Sequence, residues 1–293
     1  MSTINRRAAL AFPVWAGASV LGSCRAPDPE PAPPGRAFVE TSHGRLHARR
    51  IGNGARTPLV MLHMLPFSGA HMLPVAERLG NDRTVLMLDL PGCGQSRDAG
   101  PDETVEAVAD AMAEAAEACF GAAIFHIAGF HTGALVALEL ASRTDSPVRR
   151  AVLAGIPFYE GEERDALAAR SEPRVLETPE AMADYARLIH GFLGERVTPE
   201  RRYALTLDAL RCAPDQHHLV SMVARYEAGA ALERLDRPAL APVLDEMLQN
   251  QTRAAAERST ALTALERVDL KGDAWDVAPD AIAQMIGAFI DAD

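Results

Sequence analysis

A histidine stands between two glycines that are four residues apart, in the segment Gly-Phe-His-Thr-Gly at residues 129–133. An apolar stretch precedes this segment and a stretch with helical spacing follows it, so His131 is predicted to lie in a sharp strand-to-helix turn. In such a turn the glycines relieve crowding and the middle residue takes a strained conformation. Histidine tolerates a positive φ better than most residues. The imidazole would project from the end of the strand, where it can act as a base, a nucleophile or a ligand.

Two further segments follow predicted strands in the same way. Residues 62–66 read Leu-His-Met-Leu-Pro, and residues 89–96 read Asp-Leu-Pro-Gly-Cys-Gly-Gln-Ser. The elements that must position all three segments alternate between strand and helix, which predicts right-handed crossovers and a parallel sheet. A hairpin is predicted over 37–41 and 45–51, strands over 58–63, 84–89, 122–128 and 148–155, and helices over 70–79, 103–120 and 133–142.

The alternation is interrupted between residues 157 and 237. That segment contains several amphipathic helices, which begin after Pro179, Pro199 and Pro214. Strand and helix then alternate again from residue 239 to 290. A late helical insertion indicates a cap over the carboxyl ends of the strands, where such sheets bind their ligands. We therefore predict a core formed by 36–156 and 238–293, with a helical cap at 157–237.

The three segments, in this order and with a late helical insertion, resemble the α/β-hydrolase fold from Arg36 to the C-terminus. The Asp-x-Pro-Gly-x-Gly-x-Ser loop is the most specific part of the resemblance. The fold class it implies is α/β, with a mostly parallel sheet, flanking helices and a helical cap. In most of this family the residue at the elbow is serine, or sometimes aspartate or cysteine, whereas this chain has His131 there.

The other catalytic positions also differ from the family pattern. The family histidine normally follows a glycine after the last strand, and here Asp273 stands at that position. The family acid matches Asp245 or Glu246, with Glu246 the slightly better match. A serine acyl-enzyme needs a hydroxyl and a base that removes its proton, and neither is in place. We predict instead that His131, Glu246 and Asp273 are the catalytic residues, with either acid beside the imidazole.

The oxyanion hole of the family is formed by backbone N–H groups, which do not depend on the elbow side chain. The resemblance implies that Met64 and Thr132 supply these donors. The residues expected to line the pocket are His63, Phe67, Phe130 and Trp275.

Several functions remain open for a histidine in this position. It can act as a base in hydrolysis or in a lyase-like reaction on a small apolar carbonyl compound, or as a nucleophile that forms an acyl-histidine. The alternative is a catalytically inactive pocket that binds a ligand or partner at the cell envelope. A metal site at His63 and His131 has no supporting ligand spacing. No dinucleotide or phosphate loop is present, so no cofactor is expected.

The composition excludes some classes of protein. The chain has 293 residues and a net charge of -11, and no basic stripe that would bind nucleic acid. Four cysteines without paired-ligand spacing argue against a disulfide scaffold or a zinc ribbon. Cys93 is expected to be a small buried thiol, and a pairing of Cys119 with Cys212 stays open, as does the oligomeric state.

The N-terminus has the pattern of an export signal. Arg6 and Arg7 precede an apolar run that is too short to span a membrane but suits a signal peptide, predicted at 1–23. The run ends in Leu-Gly-Ser-Cys, which resembles the lipobox of bacterial lipoproteins, with Cys24 as the lipidated residue. A proline-rich linker is predicted at 24–35. These features predict a membrane-anchored lipoprotein on the extracytoplasmic side, exported by either the Sec or the twin-arginine route.

Overall fold

The sheet has eight strands in the order β1-β2-β4-β3-β5-β6-β7-β8. The computed structural model describes residues 35–121, 123–169, 172–173 and 176–292, so the predicted signal peptide and Cys24 lie outside the described residues. Residues 31–293 form one unit. The strands are β1 (Gly35–Thr41), β2 (Gly44–Ile51), β3 (Arg56–Leu62), β4 (Arg83–Leu88), β5 (Phe125–Phe130), β6 (Val148–Ala154), β7 (Ala239–Asp245) and β8 (Leu262–Lys271).

The strand directions follow from the connections between the strands. β1 and β2 form the predicted antiparallel hairpin, and β2 also runs antiparallel to β4. The other neighbouring strands are parallel, as the strand–helix alternation predicts. β5 begins at Phe125 and continues to Phe130, beyond the predicted end at 128, because its pairing with β6 continues to Phe130. The strand therefore ends directly before His131.

Helices cover both faces of the sheet. On one face α2 and α3 pack against the strands, and on the other α1 and α11 pack against each other and the sheet. Each face has its own hydrophobic core. No helix within the described ranges is long and apolar enough to cross a membrane. The helices of this layer are α1 (Leu73–Leu79), which follows a 3-10 turn at Gly69–Met72, α2 (Val105–Phe120), α3 (Thr132–Ala141), α9 (Gln249–Glu257), α10 (Ala274–Val277) and α11 (Pro279–Ile290).

The described residues between β6 and β7 form five helices. α5 and α6 each start with a proline in the first turn, and the preceding threonine accepts a hydrogen bond from a backbone N–H at the helix start. Helices therefore begin at Pro179 and at Pro199, as the sequence predicts. The boundary between core and cap stays a prediction. The inserted helices are α4 (Gly161–Ala168), α5 (Pro179–Leu193), α6 (Pro199–Cys212), α7 (Gln216–Arg225) and α8 (Ala228–Arg234).

A disulfide ties the insertion to the loop after β4. Cys93 pairs with Cys212 at the end of α6, with the two Cα atoms 4.5 Å apart. The expectation that Cys93 is a buried thiol was therefore wrong. The question that the sequence left open, whether Cys119 pairs with Cys212, is answered by the pairing of Cys212 with Cys93. Cys119 is a free, half-buried thiol. The reason is that the chain brings the end of α6 against the glycine loop, where Ala99 N–H also donates to Asp215 at 3.0 Å.

We predict that Cys212→Ala lowers the free energy of unfolding by about 2–5 kcal/mol, because the cross-link no longer restricts the unfolded chain. Urea unfolding of the oxidised protein measures this loss. Cys119→Ala is the matched control and should leave the disulfide in place. A Cys212→Ala protein as stable as the parent would show that the two cysteines are not linked.

Candidate active site

His131 occupies the strained turn between β5 and α3. Its backbone has φ 50° and ψ -116°, and it is the one non-glycine residue with positive φ in the described part of the chain. The flanking glycines are required by packing. A Cβ atom on Gly129 would lie 2.2 Å from the Gly133 carbonyl oxygen, and one on Gly133 would lie 2.3 Å from the Leu62 carbonyl oxygen. The turn therefore has the geometry that the glycine spacing predicts.

The imidazole of His131 is hydrogen-bonded to Glu246. Nε2 lies 2.9 Å from Oε2 of the carboxylate, and the two side chains are 11% and 5% exposed. His131 directly follows β5 and Glu246 directly follows β7, the two strands on either side of β6. The pair therefore comes from two strand ends at the same edge of the sheet. Because a carboxylate accepts, Nε2 carries the proton and Nδ1 has the free lone pair. Nδ1 is hence the ring nitrogen available to a ligand.

Two glycines leave room for this pair. Gly155 follows β6 with φ 58°, and a Cβ there would lie 2.3 Å from Cδ2 and 2.7 Å from Nε2 of His131. A Cβ on Gly272 would lie 3.1 Å from the Cβ of Glu246. The space around the hydrogen bond is therefore set by missing side chains on both sides.

Asp273 does not contact His131. Its Oδ2 lies 3.3 Å from Nε of Arg196, which belongs to the inserted segment. Of the two acids that the sequence offered as partners of the imidazole, the structure places Glu246 in that position. Asp273 instead contributes a charged group to the wall of the neighbouring cavity.

A cavity of 370 Å³ lies beside His131. Its wall combines apolar and aromatic side chains with acids and with Lys271, the only lysine of the sequence. The lining residues are Met64, Phe67, His71, Phe130, His131, Phe192, Leu193, Gly194, Asp245, Glu246, Met247, Lys271, Gly272, Asp273 and Asp276. Phe67 and Phe130, which the sequence suggested as lining residues, and Met64, suggested as an oxyanion donor, are among them.

His63 and Trp275 lie behind the cavity wall, which corrects their expected place in the lining. His63 is fully buried; its Nδ1 donates to the Met64 carbonyl oxygen and its Nε2 accepts from Leu90 N–H, each at 2.9 Å. Burial lowers the pKa of His63, so the ring is neutral and holds two loops together. Trp275 is 1% exposed and stacks on Phe130, with 5.0 Å between the ring centroids.

The two expected oxyanion donors are free of other acceptors. Thr132 is the first residue of α3, where an N–H group has no partner within the helix. Neither its N–H nor that of Met64 donates to another group among the described residues. Met64 lines the cavity, while Thr132 is buried directly after His131.

A second histidine–carboxylate pair escaped the sequence reasoning. His71 and Asp276 both line the cavity, with 3.5 Å between Nε2 and Oδ2. Arg201 of α6 donates to Asp276 at 2.6 Å and to the His71 carbonyl oxygen at 2.9 Å. Burial alone would raise the pKa of Asp276, but His71 and Arg201 hold it below its usual value. No local pattern marks these contacts, because the residues are far apart in the chain.

Metal binding finds no support in the geometry. Across the described ranges, no group of three histidine, cysteine, aspartate or glutamate side chains is arranged to hold an ion. His126, another buried histidine, lies in β5 away from the cavity, and burial lowers its pKa to about 4.

We predict that Gly155→Ala separates His131 from Glu246, since the added methyl group occupies the position of the ring and an alanine is strained at positive φ. The His131 side-chain NMR resonances should shift to those of an imidazole without a carboxylate partner. Gly161→Ala is the control, because its φ is also positive at 52° but nothing lies within 4 Å of the added atom. Equal spectra for both variants would contradict the assigned packing.

Comparison with known proteins agrees with this architecture. Residues 57–179 match the family model of the alpha/beta hydrolase fold. A hydrolase from Pseudomonas aeruginosa is 21% identical with a TM-score of 0.72, and the match covers 88% of this chain and 98% of that one. The enol-lactonase from Burkholderia xenovorans is 18% identical with a TM-score of 0.70, over 87% and 100% of the two chains. An esterase from Thermogutta terrifontis is 18% identical with a TM-score of 0.69, over 87% and 97%. The sheet order, the elbow and these similarities together show that the protein has the α/β-hydrolase fold.

Proposed function

We propose that this protein hydrolyses a small, mostly apolar ester, thioester or lactone, with His131 as the general base. The observation that carries the proposal is the 2.9 Å hydrogen bond from His131 Nε2 to Glu246, beside a cavity and at the elbow of an α/β-hydrolase fold. A carboxylate in this position fixes the tautomer, so the lone pair lies on the opposite ring nitrogen. The same arrangement orients the imidazole toward the cavity without any serine.

General-base catalysis fits the available nitrogen better than nucleophilic catalysis. Nε2 is engaged by Glu246, so the reacting nitrogen is Nδ1, which adjoins the substituted carbon of the ring. Attack of this crowded atom on a carbonyl carbon is hindered, whereas removal of a proton from a small water molecule is not. We therefore assign His131 the role of a base and not that of an acylated nucleophile.

The proposed reaction is a direct hydrolysis. Water adds its oxygen to the carbonyl carbon while His131 Nδ1 takes the proton, and the carbonyl oxygen becomes an oxyanion. The N–H groups of Met64 and Thr132 donate to that oxyanion. The imidazolium, stabilised by Glu246, then returns the proton to the leaving oxygen or sulfur as its bond to carbon breaks. The products are an acid and an alcohol or thiol, and the histidine is neutral again.

The substrate class follows from the cavity wall. Met64, Phe67, Phe130 and Leu193 present apolar surface, and 370 Å³ lies near the lower end of the range of about 300–1,000 Å³ for small-molecule sites. This size favours a compact acyl or lactone group. The lactonase and esterase similarities support the same class of carbonyl chemistry, as properties of those proteins.

We further propose that the protein acts outside the cytoplasm. The basic start, the short apolar run and the Leu-Gly-Ser-Cys segment support export, with Cys24 as the lipidated residue. Mass spectrometry of the membrane-extracted protein, before and after Cys24→Ala, tests for the lipid.

Kinetics on short aryl esters, thioesters and lactones test the catalytic proposal, with the chain from Arg25 onward. Because any exposed imidazole slowly cleaves activated esters, the criterion is saturation kinetics. We expect His131→Ala to lower kcat/KM by at least about 100-fold, since the base is lost. Glu246→Gln should lower it by at least roughly tenfold, since an amide no longer fixes the tautomer.

Asp273→Asn is the matched control, because Asp273 lines the same cavity but pairs with Arg196 instead of His131. Its kcat/KM should stay close to that of the parent. Equal background rates for the parent and His131→Ala would contradict hydrolysis and favour a ligand-binding pocket. Mass spectrometry of a quenched reaction would reveal an acyl-histidine if His131 were a nucleophile.

A further inference from the structure

The hairpin of β1 and β2 forms one edge of the sheet, and one of its faces carries unpaired arginines around an exposed aromatic ring. Directly opposite residues in the hairpin share a face, and Arg36 lies opposite Arg49, while Glu40 lies opposite Arg45. Phe38 lies between them on the same face. We call the surface formed by Arg36, Phe38, Arg45 and Arg49 the Arg–Phe face.

Phe38 is an apolar ring in contact with solvent. It is 50% exposed, and the guanidinium carbon of Arg45 lies 4.5 Å from the ring centroid. An aromatic ring beside arginines is the composition that proteins use at the boundary between lipid headgroups and acyl chains. The ring can enter that boundary while the cations remain at the level of the phosphates.

Three arginines share this face with one carboxylate, that of Glu40, which lies opposite Arg45. In the part of the chain that the structure describes, Arg36, Arg45 and Arg49 form no ion pair, whereas Arg83 and Arg97 each pair with a carboxylate. Arg36 and Arg49 are like charges directly opposite each other, which is unfavourable. Burial, together with Arg36, lowers the pKa of Arg49, although Asp89 and Asp208 oppose this shift. An anionic surface would add negative charge beside these three arginines.

We propose that the Arg–Phe face docks on an anionic phospholipid membrane. The charge is complementary, because this face carries three arginines and one glutamate in a chain with a net charge of -11. The position is suitable as well, since the preceding 34 residues join the fold at Gly35, next to Arg36. If Cys24 is the anchor, the segment 25–34 leads from the bilayer to the strand that carries Arg36 and Phe38. The proposal is independent of the proposed hydrolase activity.

The test uses the chain from Arg25 onward, which contains the whole unit 31–293 with both hydrophobic cores. An N-terminal hexahistidine tag tethers it to nickel-lipid vesicles of phosphatidylcholine, with or without phosphatidylglycerol. Phe38→Trp reports contact through quenching by brominated lipid, and the native Trp275 gives a constant background because it is 1% exposed. We expect strong quenching on phosphatidylglycerol vesicles that decreases at high salt.

Charge variants show whether the named arginines are responsible. In the Phe38→Trp background, the combination Arg36→Gln, Arg45→Gln and Arg49→Gln should lower vesicle docking by at least roughly tenfold. Because these arginines form no ion pair with any residue that the structure describes, the melting temperature should be retained. The charge-matched control is Arg187→Gln, Arg253→Gln and Arg267→Gln, which removes three surface arginines elsewhere. It should dock like the parent.

Three results would overturn the proposal. They are an absence of quenching on anionic vesicles, equal quenching with and without phosphatidylglycerol, and equal quenching in the two triple variants.

Sedimentation velocity provides an independent check of whether the edge strand pairs with a second copy of the chain. A dimer that is lost in the Arg36, Arg45 and Arg49 variant would show that a second copy of the chain covers this face, and would also overturn membrane docking.

Discussion

The hydrogen bond between His131 and Glu246 is the interaction on which the site depends. It joins a residue held at positive φ, which costs about 1–3 kcal/mol, to a carboxylate at the end of another strand. The cost is tolerated because the sheet fixes both ends of the interaction. β6 lies between β5 and β7. Directly after β6 comes Gly155, where a side chain would collide with the imidazole. The elbow, the strand order and the glycine therefore form one geometric constraint.

The wall of the cavity is stabilised by contacts that connect the insertion to the rest of the fold. Arg201 reaches from α6 to Asp276 and to the backbone of His71, and Ser68 donates to Asp208 of α6 at 2.5 Å. The disulfide at Cys212 ends the same helix. Because these contacts converge on α6, the insertion and the aromatic wall are held as one surface. The cavity is consequently shaped before any ligand enters, which limits the ordering cost of binding.

The sequence predicted features that depend on local periodicity and on glycine. The strand–helix alternation gave the parallel sheet, and the spacing of Gly129 and Gly133 located the turn at His131. Contacts between distant segments were a different matter. The sequence offered Glu246 and Asp273 equally as partners of the imidazole. Only their contacts in the folded chain distinguish them, because Glu246 is hydrogen-bonded to His131 whereas Asp273 pairs with Arg196. The pairing of Cys93 was missed for the same reason, since it depends on where α6 runs relative to the loop that contains Cys93.

The sequence was equally unable to predict how deeply a side chain is buried behind the cavity surface. His63 and Trp275 follow strands at the edge of the sheet where the site lies. His63 nevertheless holds two loops together, and Trp275 stacks against Phe130. His71 and Asp276 do reach the cavity, although no motif marks them. Local sequence therefore identifies the edge of the sheet at which the site lies. Packing decides which of its residues face the ligand.

The most direct test of the account is the tautomer of His131, measured by long-range proton–nitrogen NMR correlation on protein labelled with ¹⁵N-histidine, with His131→Ala to assign the resonances. The account predicts a proton on Nε2 and none on Nδ1 in the neutral ring, and a loss of this preference in Glu246→Gln. A proton on Nδ1, or a spectrum unchanged by Glu246→Gln, would contradict the claim that the carboxylate orients the base.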